Sequence, residues 1–207
     1  MNGTKRGLVL SLCDRTGNMV RPWAEAGYAC ITVDVQPAAH FMPNVMPIQA
    51  DVCAFLPPRT AYTAVFAFPP CTDLAVSGAR WFREKGLYGL SAALKIVEAC
   101  ARICEWSGAP WMLENPIGTL SSYWRKPDFT FDPYEYGGYL SPSGDAYTKR
   151  TCLWTGGGFI MPAKRPVPPV EGSRMHRLPP GPHRADQRSE TPIGFARAVF
   201  EANGATQ

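Results

Sequence analysis

No stretch of this 207-residue chain comes near the roughly 20 consecutive apolar residues that a bilayer-spanning helix needs. The basic start, Met1-Asn2-Gly3-Thr4-Lys5-Arg6, is followed by an apolar run only from Leu8 to Cys13 before Asp14-Arg15 interrupts it, too short for an export core. A disulfide framework is missing as well. The seven cysteines (Cys13, Cys30, Cys53, Cys71, Cys100, Cys104, Cys152) are odd in number, spread along the chain and mostly set in apolar runs, which points to a reducing compartment and a cytoplasmic protein. Cys100 and Cys104 lie one helical turn apart without nearby histidines, so they are expected to be packed core thiols, and no metal site is expected. Internal repeats are absent.

What the chain has in excess is proline and glycine, 21 and 19 residues, well above the usual combined share of about 12%. Many tight turns must therefore connect the regular elements, which excludes a helical bundle. With 45% hydrophobic and 18% charged residues and a mean hydropathy of −0.16, the composition is that of a globular domain with a full core.

Strand and helix patterns alternate. Leu8–Leu12 reads as a buried strand, Met19–Ala26 as a helix stopped by Gly27, and Ala29–Val33 as a second strand running into Asp34. Val45–Ala50 reads as a short third strand before Asp51, and Tyr62–Phe68 as a fourth that stops at Pro69-Pro70. Leu87–Trp106 has helical periodicity, Trp111–Leu113 is a fifth strand ending at Glu114, and a last helix runs to Ala202 with Thr191 as its cap and Pro192 at its first position. Such alternation predicts an α/β fold: a mostly parallel sheet with right-handed crossovers and helices on both faces.

In such sheets ligands bind outside the carboxyl ends of the strands. Four clusters fall there: Asp14-Arg15-Thr16-Gly17-Asn18, Asp34, Pro69-Pro70-Cys71 and Glu114-Asn115-Pro116. Asp34 stands where an acid accepts ribose hydroxyls, while the turn before it is not G-x-G-x-x-G, so an adenosine cofactor without a pyrophosphate fits better, S-adenosylmethionine being the common one. Two prolines fix the backbone before Cys71 and place its thiol as a nucleophile. A thiol of ordinary pKa, about 8.5, needs nearby positive charge, which Lys149, Arg150 or Arg80 could supply. A carboxyl group at Glu114 beside such a thiol suits addition to a conjugated ring with protonation of a ring nitrogen.

Charge is concentrated late in the chain. Between Lys149 and Arg188 stand eight basic residues, including Lys164, Arg165, Arg174 and Arg177, against Glu171 and Asp186. This suits a polyanionic partner. Twelve of residues 156–182 are proline or glycine, so this stretch is expected to be loop.

These motifs together resemble the DNA (cytosine-5)-methyltransferases, most closely their compact phage- and prophage-type members. Leu10–Asn18 resembles the motif that holds the methionine part of S-adenosylmethionine, assigning Asp14, Thr16, Gly17 and Asn18 to the cofactor; Asp34 matches the ribose-binding acid, Asp51-Val52 the adenine-reading pair, and Pro69 falls in the same pocket. Phe68-Pro69-Pro70-Cys71 resembles the nucleophile motif, Leu113-Glu114-Asn115-Pro116 the Glu-Asn-Val motif, and Thr148-Lys149-Arg150-Thr151 the basic motif whose arginine reaches the target pyrimidine. Ser189–Ala196 resembles the last motif, which closes the cofactor pocket.

The resemblance implies a Rossmann-like methyltransferase fold and methyl transfer to C5 of cytosine in DNA through a covalent Cys71 adduct, with Glu114 at N3 and Arg150 holding the base. DNA phosphates would meet Arg80, Lys149, Lys164, Arg165, Arg174 and Arg177. Residues 1–155 would form the catalytic core, 156–188 a basic loop in place of a large target-recognition domain, and 189–207 a helix returning to the core. Specificity would then be low, or supplied by a partner or a homo-oligomer; if the gene is phage-borne, the site of action is the bacterial host cytoplasm. The first motif lacks its usual Phe and second glycine, and Pro116 replaces the expected valine. Two alternatives stay open: a non-catalytic S-adenosylmethionine- or DNA-binding relative, and a methyltransferase acting on cytosine nucleotides or single strands. Amino-methyltransferases place an aromatic residue after Pro-Pro, whereas here Phe68 precedes and Cys71 follows.

Overall fold

The computed structural model describes residues 6–173 and 189–204. Its centre is a seven-stranded sheet built from β1 (Leu8–Leu12), β2 (Ala29–Asp34), β3 (Val45–Gln49), β4 (Ala64–Ala67), β5 (Trp111–Pro116), β6 (Phe129–Phe131) and β7 (Thr151–Gly156). The spatial order is β3-β2-β1-β4-β5-β7-β6. The first five are parallel, and β7 runs antiparallel to both β5 and β6. This is the Rossmann-like α/β fold expected from the sequence.

The inner strands read as near-continuous apolar runs because helices cover both faces. Successive residues alternate between two cores. Leu10, Leu12, Val33, Val65, Ala67 and Leu113 face one, against α2 (Phe82–Ser107), which buries Ala93, Val97, Cys100 and Cys104. Val9, Cys30, Phe66, Met112 and Leu153 face the other, against α1 (Arg21–Glu25) and α4 (Ile193–Asn203). Trp23 of α1 is fully buried in that second core, its ring centroid 5.2 Å from Tyr28, 5.8 Å from Phe66 and 5.2 Å from Phe200. The cysteines are not paired in disulfides, and Cys100 and Cys104 are core thiols as expected.

Several boundaries differ from the sequence reading. The first helix shrinks to Arg21–Glu25 because residues 18–20 form a turn, and β4 begins at Ala64. In α2, Gly86 adopts φ 61, a left-handed conformation that kinks the element, so regular helix starts at Leu87 as the periodicity suggested. β5 continues through Glu114-Asn115-Pro116, which the sequence placed after the strand, because β7 pairs with it over that length. Thr191 is not the last helix's cap: Pro192 holds that position in extended backbone and α4 begins at Ile193. β6, β7 and the short α3 (Leu120–Tyr123) went unread.

Of the expected loop at 156–188, the part up to Ser173 is described, and it packs onto the body of the domain. Arg165 N donates to Glu135 O, Gly138 N to Arg165 O and Val167 N to Tyr134 O, while Phe159 and Met161 pack on the second core. Arg174 and Arg177 lie outside the described residues. Among the described residues no helix is long and apolar enough to cross a membrane.

Trp23→Ala should lower unfolding free energy by about 3–5 kcal/mol, measured by urea denaturation; a loss under about 1 kcal/mol would mean that the aromatic cluster does not organise this face.

Candidate active site

The strand order reverses between β1 and β4, where ligands of open α/β sheets bind. Phe68 N donates to Leu12 O, which closes the end of that crevice and sets the two following loops side by side.

The loop after β1 is organised by Asp14. Its buried carboxylate accepts from Ser11 Oγ (2.8 Å), Gly17 N (2.8 Å) and Thr16 Oγ1 (3.2 Å). Burial pushes its pKa up despite these bonds. Asp14 thus shapes the turn that presents Thr16, Gly17 and Asn18. Gly17 has φ +67, and a Cβ there would stand 2.6 Å from Met42 Cε, so the turn needs glycine. Cys13, at positive φ 54, places its sulfur 3.9 Å from that of Cys100. Asn18 Nδ2 donates to Thr191 O (3.3 Å), joining this loop to the segment before α4.

Asp34 ends β2, half-buried, and its Oδ1 accepts from Gln36 N at 2.8 Å. Asp51 is exposed and accepts from Cys53 N at 2.9 Å, while the neighbouring Val52 is buried. An acid at the end of β2 and an apolar residue past β3 share the carboxyl edge of the sheet with the glycine turn.

The Cys71 loop is fixed by a side chain of the adjacent strand. Asn115 Nδ2 donates to Pro69 O at 2.9 Å, joining the residue after Glu114 to the segment that leads into Cys71. Cys71 itself is half-buried. The turn following it is closed by Leu74 N and Ala75 N, both donating to Cys71 O. Asn115 is fully buried, and its Oδ1 has no hydrogen-bond partner among the described residues.

Glu114 lies in a narrow cleft with Phe68, Phe131, Lys149, Thr191, Pro192 and Phe195. Burial raises its pKa, with Lys149 pulling in the opposite direction. The cleft brings Glu114 and Lys149 together with Phe68 and the segment before α4; Cys71, three residues beyond Phe68, is not among its lining residues.

The basic residues divide. Lys149 lines the cleft, whereas the Arg150 guanidinium sits 3.1 Å from Asp132, a residue that sequence reading missed and that also accepts from Lys149 N. Asp132 follows β6, a three-residue strand with no periodic signal to reveal it. Lys164 pairs with Glu135, and Arg165 pairs with Glu201 while lying over the Tyr139 ring at 4.0 Å. Arg80 is exposed beside Trp81, its guanidinium 5.1 Å from the ring centroid. Lys164 and Arg165 thus have much of their charge offset within the chain. No cluster of three metal-ligating side chains occurs among the described residues.

No family model matches the chain, and no curated protein matches it. Solved structures similar to it include the CcbJ methyltransferase from Streptomyces caelestis, at 15% identity and TM-score 0.34 over 61% of this chain and 49% of that one. Another is the glycopeptide N-methyltransferase MtfA complexed with (S)-adenosyl-L-methionine, at 15% identity and TM-score 0.32 over 63% and 54%. The similarity spans about half the length of these two proteins.

A carboxyl whose folded pKa is raised favours the folded state when protonated and penalises it as pH climbs above the ordinary 4.5. Glu114→Gln should therefore melt at a higher temperature than the wild type at pH 7, with the gap narrowing as pH falls toward 4.5 and closing below it. Equal melting temperatures at pH 7 would contradict an electrostatic cost at this position.

Proposed function

We propose that this chain transfers a methyl group from S-adenosylmethionine to C5 of cytosine in DNA, with Cys71 as the nucleophile. The observation that carries this reading is the Asn115–Pro69 hydrogen bond, which ties the Cys71 loop to the strand holding Glu114. The donor set at the strand ends fits the cofactor: the Gly17 turn with Asn18 for its amino-acid end, Asp34 for the ribose hydroxyls, and Val52 with Asp51 for the adenine. When bound, S-adenosylmethionine supplies an electrophilic methyl group on a sulfonium sulfur.

The protein's own residues then activate the base. The Cys71 thiolate adds to C6 of cytosine, forming an S–C bond and moving electron density onto C5 and the N3 side of the ring. Glu114, whose burial favours the protonated form, donates to N3 and stabilises that density. Lys149 lines the same cleft and is the cation we assign to the O2 carbonyl, while Arg150, expected to hold the base, pairs with Asp132. After methylation, loss of the C5 proton to a base and breaking of the S–C6 bond return Cys71. A cytosine within a duplex must leave the stack to reach such a cleft.

Bisulfite sequencing of DNA from cells expressing the chain should detect 5-methylcytosine with the wild type and none with Cys71→Ser. Asn115→Ala should cut turnover about a hundredfold, the scale of a misplaced reacting group. Methylation that survives Cys71→Ser, or a wild type that methylates no cytosine in any context, overturns the reading.

A further inference from the structure

A second cavity, of about 380 Å³, is not used by the methyl-transfer chemistry; it shares no lining residue with the Glu114 cleft, but Asp73, two residues beyond Cys71, lines it. Its lining includes Asp73, Phe82, Arg83, Lys85, Thr119 and Tyr123. Most of its lining comes from the start of α2, and the rest from two loops: the one after β4, which carries Cys71 and gives Asp73, and the one after β5, which runs into α3 and gives Thr119 and Tyr123. They are joined by Thr119 N donating to Leu74 O, Val76 N donating to Ile117 O, and a bridge between Ala75 and Gly118. Gly118 permits this approach, since a Cβ there would lie 2.1 Å from Leu74 O. Asp73 is two residues beyond Cys71, so their Cα atoms are at most about 7 Å apart.

The lining combines aromatic faces with a cationic excess. Lys85 and Asp73 form an ion pair, leaving Arg83 as the net charge among the lining residues. Tyr123 is 58% exposed although it lines the cavity, and Leu87 and Tyr88 at the kink are over 80% exposed. Arg80 and Trp81, an exposed guanidinium–indole pair, lie just before Phe82 in the chain. Flat rings at such a surface stack a base, and the cations meet the phosphates on either side of it.

We propose that this cavity is a second nucleotide subsite, which takes the base flanking the target cytosine in a single-stranded DNA, with Tyr123 as its stacking face and Arg83 at the adjoining phosphate. In a single strand, neither the target base nor its neighbour has to be unpaired before entering a pocket. This assignment rests on the reading of Cys71 and the Glu114 cleft as a cytosine site.

The test is a binding cycle on the full-length chain with fluorescein-labelled single-stranded pentanucleotides, read by anisotropy. One probe is d(TTCTT), and two others carry an abasic residue on one or the other side of the cytosine. Tyr123→Ala should weaken d(TTCTT) about tenfold, Tyr123→Phe should restore it, and one of the abasic probes should bind wild type and Tyr123→Ala equally. Equal affinity of wild type and Tyr123→Ala for d(TTCTT), a tenfold loss that persists with both abasic probes, or no binding of the strand by the wild type overturns the subsite. Tyr123-dependent binding without cytosine methylation leaves the subsite standing and removes the methyltransferase reading. Methylation with unchanged strand affinity in Tyr123→Ala does the reverse.

Discussion

Pro69 and Pro70 remove two backbone donors in succession, so the chain leaving β4 cannot extend its strand ladder. Pro69 is itself buried, and a buried carbonyl without a partner costs about 1–3 kcal/mol. The Asn115 amide satisfies it at 2.9 Å. This one bond sets the Cys71 loop against β5, and the pairing of β5 with β7 sets β5 against the basic motif. Through that chain of contacts, Cys71, Glu114 and Lys149 are held by elements far apart in sequence.

Electrostatics follow from the same packing. Glu114 is drawn out of water by Phe68, Phe131 and Phe195, and Lys149 only partly offsets the cost. A carboxyl that prefers its proton is poorly suited to a structural ion pair and well suited to donating to a ring nitrogen. Asp14 is also buried and also shifted upward, yet its oxygens accept from Ser11, Gly17 and Thr16. Its burden is the shape of the loop. Buried Asp14 and half-buried Glu114 thus differ in surroundings: one has hydrogen-bond donors around it, and the other has aromatic rings.

The inner strands were legible because burial on both faces makes apolar runs such as Leu8–Leu12 and Ala64–Ala67 stand out. The four strand-end clusters were legible for a related reason, since proline, glycine and carboxylates break those runs abruptly. The antiparallel edge was not. Thr151–Gly156 has only Cys152-Leu153-Trp154 as its apolar signal, and β6 has three residues. Without β6 and β7 there was no way to see that Lys149 faces the cleft while Arg150 turns to Asp132. The basic stretch from Lys149 to Arg188 read as uniform positive charge, but Lys164 and Arg165 find Glu135 and Glu201 once the segment folds back. Ion pairs across 29 and 36 residues leave no local pattern.

Whether Cys71 forms a bond to cytosine C6 can be read directly by intact-mass spectrometry. The full-length chain would be incubated with S-adenosylmethionine and a DNA oligonucleotide bearing 5-fluorocytosine, whose fluorine blocks the final proton loss and retains the adduct. A species heavier by the oligonucleotide and one methyl group, mapped to Cys71 and absent in Cys71→Ser, is the expected result. Cofactor binding without any adduct, or an adduct on another residue, would contradict nucleophilic catalysis by Cys71.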